Sequence, residues 1–185
     1  MPINKAKYIK LYQKVWRKLD DPTPLMGDCG KLCDKKCCAG TENDGMLLFP
    51  GEEYLYESMN GDWFQIHNSH IVLSDGYQIK FFVCRGECPR ECRPLSCRIF
   101  PIIPYLNDMG RTEFRLDLRS LGICPIVYSP RENPVEEEFI EALYDAFPRL
   151  LKDDAVVEFI DILSRQYDET ASFLAKFQQD QDEKD

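Results

Sequence analysis

The chain has 185 residues, nine of them cysteine, and a formal net charge of −9. That length suits one domain with its own core, and 44% hydrophobic with 12% aromatic residues excludes a disordered chain. The acid excess speaks against non-specific nucleic-acid binding, which needs clustered cations facing phosphates, and an odd cysteine count fits a fully paired disulfide set badly.

The first twenty residues predict an amphipathic helix. Tyr8, Tyr12, Val15, Trp16 and Leu19 recur at helical spacing. Lys5, Lys7, Lys10, Lys14, Arg17 and Lys18 fall on the other face, and Asp21-Pro22-Thr23-Pro24 ends the run. Residues 131–185 hold sixteen acidic side chains against six basic ones, so the helix has an internal partner on which to dock. The segment MPINKAKYIKLYQKVWRKLDD lacks the apolar core and cleavage site of a secretion signal. No apolar run approaches a membrane span. The expectation is a cytoplasmic protein with reduced thiols.

Residues 21–130 read as strands and turns. A short apolar run at 46–49 leads into Pro50-Gly51-Glu52-Glu53, which starts a short helix through Tyr56. Residues 70–74 and 77–83 flank Asp75-Gly76 as a hairpin, and Asp-Gly suits a type I′ turn. Residues 99–106 and 113–118 flank Asn107-Asp108-Met109-Gly110 as a second. His67 and His70 are expected at a turn on the surface.

Residues 131–185 read as helical. Asn133-Pro134-Val135-Glu136 has the form of an N-cap, a first-turn proline and a capping-box glutamate. Phe139, Ile140, Leu143, Tyr144 and Phe147 form an apolar stripe, and Pro148 kinks or ends the helix. A second helix buries Val156, Phe159, Ile160, Leu163 and Tyr167. A third short piece carries Phe173, Leu174 and Phe177, and the tail QQDQDEKD frays. The expected fold class is therefore α+β. It has a small, cysteine-rich antiparallel core over 21–130, flanked by the 1–20 helix and the 131–185 helices, integrated in one domain.

The cysteines fall into groups: Cys29, Cys33, Cys37 and Cys38; then Cys84, Cys88, Cys92 and Cys97; then Cys124 alone. Both groups begin C-x3-C-x3-C. Such spacing lies near one helical face or wraps a tight loop around an ion or cluster. Thiolates suit zinc and iron–sulfur clusters, and each needs four ligands. Lys31, Lys35 and Lys36, then Arg85, Arg90, Arg93 and Arg98, lie among the groups. Neighbouring cations lower thiol pKa and offset thiolate charge.

CGKLCDKKCCAG, residues 29–40, resembles the first cysteine block of the YkgJ-type zinc- or iron-chelating proteins. CPRECRPLSCRIFPIIP, residues 88–104, resembles that family's R-P-x-x-C-R-x-F/Y-P block, and Cys124-Pro125 its later C-P. The resemblance covers about residues 27–126. It implies Cys29, Cys33, Cys37, Cys38, Cys88, Cys97 and Cys124 as ligands of iron or zinc. Flagellin lysine methylases carry a related domain with an iron–sulfur cluster. Here three residues, not two, precede the vicinal pair. Cys84 and Cys92 enter on local spacing alone.

The expectation is a protein that chelates a 4Fe–4S cluster or zinc, with an iron–sulfur enzyme of methyl transfer or redox chemistry as the alternative. Thiol redox chemistry at Cys37-Cys38 is a third reading. No nucleotide, hydrolase or metalloprotease motif is present in the sequence, and no protein partner is identified.

Overall fold

The computed structural model describes residues 4–25, 27, 29–38, 44–59, 61–85 and 89–182. The fold is α+β, with small antiparallel sheets between N- and C-terminal helices. Helix α1 (Lys5–Lys18) is capped by Asn4, whose Oδ1 accepts from Lys7 N. Tyr12, Val15 and Trp16 are buried on one face. The other face meets acidic partners: Lys7 pairs with Asp153 at 3.1 Å, and Lys18 pairs with Asp145. Each pair leaves one partner well exposed and contributes modestly, so the apolar face carries most of the docking against the C-terminal helices.

Strands β1 (Gly45–Leu47), β2 (Phe64–Val72) and β3 (Gln78–Cys84) form an antiparallel sheet in the order β1-β3-β2. Being central, β3 carries Cys84 at its end, opposite Phe64. His67 and His70 lie within β2 rather than at a turn, both exposed. Between β1 and β2 runs a 3₁₀ helix, Glu52–Ser58, entered through Gly51. Gly51 has φ +81°, and a Cβ there would meet the Tyr8 ring at 2.3 Å. Only glycine satisfies both conditions.

A second hairpin joins β4 (Ile102–Leu106) to β5 (Thr112–Leu116). Both hairpins close by one device. Gly76 N donates to Leu73 O and Gly110 N donates to Asn107 O, with φ +85° and +70° at the two glycines. Asp75 does not take positive φ, so the expected type I′ turn is instead a type I turn followed by a left-handed glycine. Asp75 Oδ1 favours this form by accepting from Tyr77 N.

Two short helices, α2 (Gly30–Cys33) and α4 (Pro125–Tyr128), belong to the cysteine segments. A third, α3 (Leu95–Ile99), ends before a cis Phe100–Pro101 peptide. Residue 99, read as the start of a strand, is thus helical.

Helix α5 (Glu137–Leu150) starts three residues later than the Asn133 signal implies, with Glu136 at the N-cap. The segment before it is committed elsewhere. Asn133 bonds back to Ser129 O through its backbone and side-chain nitrogens, and Glu136 N donates to Pro24 O. Pro148 lies inside the last turn. Helix α6 (Asp154–Asp182) is one continuous helix, not two pieces, because no Gly or Pro interrupts its 29 residues. Phe173 and Phe177, expected on a third short piece, lie on this helix and stand 67% and 58% exposed. The tail read as frayed is helical through Asp182; residues 183–185 lie outside the described residues.

One apolar core draws from all parts of the chain. Tyr12 and Trp16 meet Phe49, Phe82, Leu95, Phe147 and Phe159 in it. A small second cluster holds Cys124, Ile126 and Val127, with Leu25, Cys29 and Phe100 against it.

Candidate metal centre

The first cysteine group is a loop, not a helical face. Cys29 precedes α2 and Cys33 ends it. Asp34 and Lys35 then turn the chain with φ of 55° and 54°. Cys37 and Cys38 follow in a 3₁₀ turn, Lys36–Cys38, their Sγ atoms 3.9 Å apart. Asp tolerates the left-handed region through local hydrogen bonding, whereas Lys adopts it at a cost.

Two adjoining cavities meet at this loop. The larger, about 450 Å³, is lined by Cys29, Cys37, Cys38, Cys84 and Cys97. The smaller, about 20 Å³, is lined by Cys29, Cys33, Cys37 and Cys124. Cys29 and Cys37 belong to both. Seven of the nine predicted cysteines thus line one or other of two cavities that share Cys29 and Cys37. Cys92 lines neither cavity. It ends a 3₁₀ turn (Arg90–Cys92) whose carbonyl accepts from the Tyr56 hydroxyl at 2.9 Å. Cys88 lies outside the described residues. The described cysteines are thiols.

The thiols influence one another. The Cys37 thiol is held well above the ordinary range by its hydrogen bond with Cys38, then by burial, then by the charges of Cys38, Cys33 and Cys29. Burial raises Cys124, with a smaller push from Cys33. Among the described residues no group of three or more Cys, His, Asp and Glu converges tightly enough to hold a metal ion.

The R-P-x-x-C-R element has a physical reason for its form. Arg93 and Cys97 line the larger cavity. Leu95 and Ile99 are buried in the core, and Ser96 Oγ donates to Leu47 O. The Arg98 side chain is 2% exposed and paired with Asp20 at 2.5 Å. Its other N–H groups donate to the carbonyls of Arg93, Arg90 and Glu91 at 2.8–3.1 Å. Its guanidinium also lies 4.7 Å from the Trp16 ring. Arg98 therefore ties the 90–93 turn to the end of α1. Grouping it with the cations that tune the thiols missed this role.

Glu52 is a second positioning residue that sequence reasoning missed, although it sits in the Pro-Gly-Glu-Glu signal. It is fully buried. Its carboxylate accepts from Trp16 Nε1 at 2.8 Å, Leu95 N at 2.6 Å and Phe49 N at 3.3 Å. It caps α3 from a distant segment, because Pro94 at the N-cap makes no side-chain bond. Burial raises its pKa from 4.5 to about 7, against the lowering effects of these three donors and Arg98.

His67 and His70 stand on β2, and neither lines either cavity. No helix among the described residues is long and apolar enough to cross a membrane. Comparison with protein-family models, with curated proteins and with solved structures found no match, so the likeness to YkgJ-type proteins rests on the motif residues alone.

Proposed function

We propose that the cysteine end holds a thiolate-ligated metal centre, with a 4Fe–4S cluster ahead of zinc. The observation that supports this reading is the gathering of Cys29, Cys33, Cys37, Cys38, Cys84, Cys97 and Cys124 from three segments around two cavities that share Cys29 and Cys37. An all-thiol donor set suits both metals. The number of gathered thiols, more than the four that one zinc ion needs, is the reason for putting the cluster first. Cys88 joins the reading through the motif. Cys92, which lines neither cavity, stays in it on its spacing alone. Reduced thiols fit a cytoplasmic setting. The chain's own contribution is to fix the 90–98 segment, which carries Cys97, against the end of α1 through Arg98 and Glu52.

Anaerobic purification, an absorption spectrum and elemental analysis test the proposal. A brown protein with iron and acid-labile sulfide is the expected result, and a colourless zinc protein would replace the cluster with a structural zinc site. Chelation should lower Tm by on the order of 10 °C, since metal binding in such sites is folding free energy. Metal-free protein with nine titratable thiols and an unchanged Tm would remove both readings.

The size of the larger cavity favours a second reading, an iron–sulfur enzyme of methyl transfer or redox chemistry. Retention of a coordination position open to small ligands is the sign to seek.

A further inference from the structure

Helix α6 outlasts the core on which it packs. Among the described residues Tyr167 is the last of its side chains against that core. Ser164 Oγ accepts from Leu106 N at 2.8 Å, and the Tyr105 hydroxyl donates to Asp168 at 3.0 Å. The helix then runs on to Asp182, about 22 Å further at 1.5 Å per residue. Its buried face continues beyond the core in the same direction. Leu163, Tyr167, Thr170, Leu174 and Phe177 follow one another at alternating steps of four and three residues, the spacing of a helix–helix seam. Phe173 stands beside that seam, and it and Phe177 are 67% and 58% exposed.

The seam is built for burial against another helix. Arg165, Asp168, Glu169 and Lys176 are the charged residues between 163 and 179, and all fall roughly 120° or more around the helix from it. Gln166, Ala171 and Gln178 flank it without charge. Thr170 Oγ1 donates to Gln166 O at 2.8 Å, so covering the seam orphans no hydroxyl there. In a chain of net charge −9, a neutral strip is where two copies meet with least repulsion. An antiparallel pair with its two-fold axis near Ser172 sets Tyr167 over the partner's Phe177 and Thr170 over the partner's Leu174. It also brings each Phe173 to its counterpart. Parallel pairing would crowd both cores at one end, beside Leu163. At their exposures Phe173 and Phe177 offer about 250 Å² per copy, so about 500 Å² in a pair. A specific interface needs roughly 1,000 Å², and Tyr167, Leu174 and the flanking residues contribute toward the remainder. That area suits a reversible dimer.

We propose that α6 beyond Tyr167 is a dimerisation element, pairing antiparallel with the same helix of a second copy of this chain. No seam residue lines either cysteine cavity, so the proposal stands apart from the metal-centre reading.

Sedimentation velocity of the as-isolated full chain in reductant, over roughly 1–300 μM, tests it. The expected result is a monomer that converts to a dimer with a Kd on the order of 10 μM. Phe173→Glu combined with Phe177→Glu should weaken association by about 100-fold or more, because pairing would bury unpaired carboxylates. The far-UV spectrum should not change, since both positions are exposed in the single chain. Phe173→Ser with Phe177→Ser is the companion should the first variant not fold. Benzoylphenylalanine in place of Phe177 should crosslink to the partner copy near Tyr167. A chain that stays monomeric throughout overturns the proposal and gives the seam to a different partner. Unchanged dimerisation of the folded variants overturns it in favour of another surface. Crosslinks from 177 to the same position of the partner overturn the antiparallel pairing.

Discussion

Around Phe49, the rings of Phe147 and Phe159 meet edge to face at 6.0 and 5.3 Å, inside a core that also holds Leu143, Leu150 and Ile160. Around Cys124 the buried set is three residues, the helices beside it have four residues each, and two cavities adjoin it. The aromatic region is held by area removed from water. The cysteine region buries far less, and its loop contains two left-handed non-glycine residues. One end of the body therefore has enough packing to define itself, and the other borrows its shape through Glu52, Arg98 and, in the proposed function, a metal.

The largest test of this contrast is Phe159→Ala. It should cost about 3–5 kcal/mol, measured by urea unfolding. Because one core reaches both regions, the cysteine loop should lose protection from thiol reagents at the same midpoint. A separate, earlier transition of the loop would break the idea that it borrows its shape.

Next in size is the link between the regions. The Glu52 carboxyl rises to about 7 when folded, against 4.5. The folded state therefore holds the proton more tightly. The stability this gives is fully present below about pH 4.5 and is lost as pH rises through 7, a span of about 3 kcal/mol. Glu52→Gln keeps an acceptor for Trp16 and Leu95 and should flatten that slope in unfolding series from pH 5 to 8. An unchanged slope would assign the pH dependence to other groups.

The smallest effect sits in the loop itself. Lys35 pays for a left-handed backbone, roughly 1–2 kcal/mol, while glycine adds unfolded-state entropy of about half that. Lys35→Gly should stabilise by about 0.5–1 kcal/mol in thermal melts. A loss of stability would mean that the turn is not strained.

The legible parts of the fold were those governed by local chemistry. Tyr12, Val15 and Trp16 declare a helix face, and Gly76 and Gly110 declare their turns. The start of α5 was misread because Asn133 serves Ser129 and Glu136 serves Pro24, partners that no local pattern contains. The continuity of α6 was not legible because its buried apolar stripe stops after Tyr167, and the helix carries Phe173 and Phe177 outward. At the site, clustering was legible from spacing. Which cysteines face the cavities was not, since Cys84 arrives by β3 and the Cys92 carbonyl is held by Tyr56, contacts far apart in sequence.

The spread of the cysteine wall along the chain also sets a timetable for biosynthesis. Cys124 leaves the ribosome 95 residues after Cys29. At synthesis rates of about 5–20 residues per second, the first loop waits roughly 5–20 s before its last neighbour exists. During that interval Cys37 and Cys38 meet the cell's oxidants and stray soft metals in an unfinished chain. Under the proposed function, loading of the centre follows synthesis, and a cell poor in reductant should accumulate chains damaged at the vicinal pair before they ever fold.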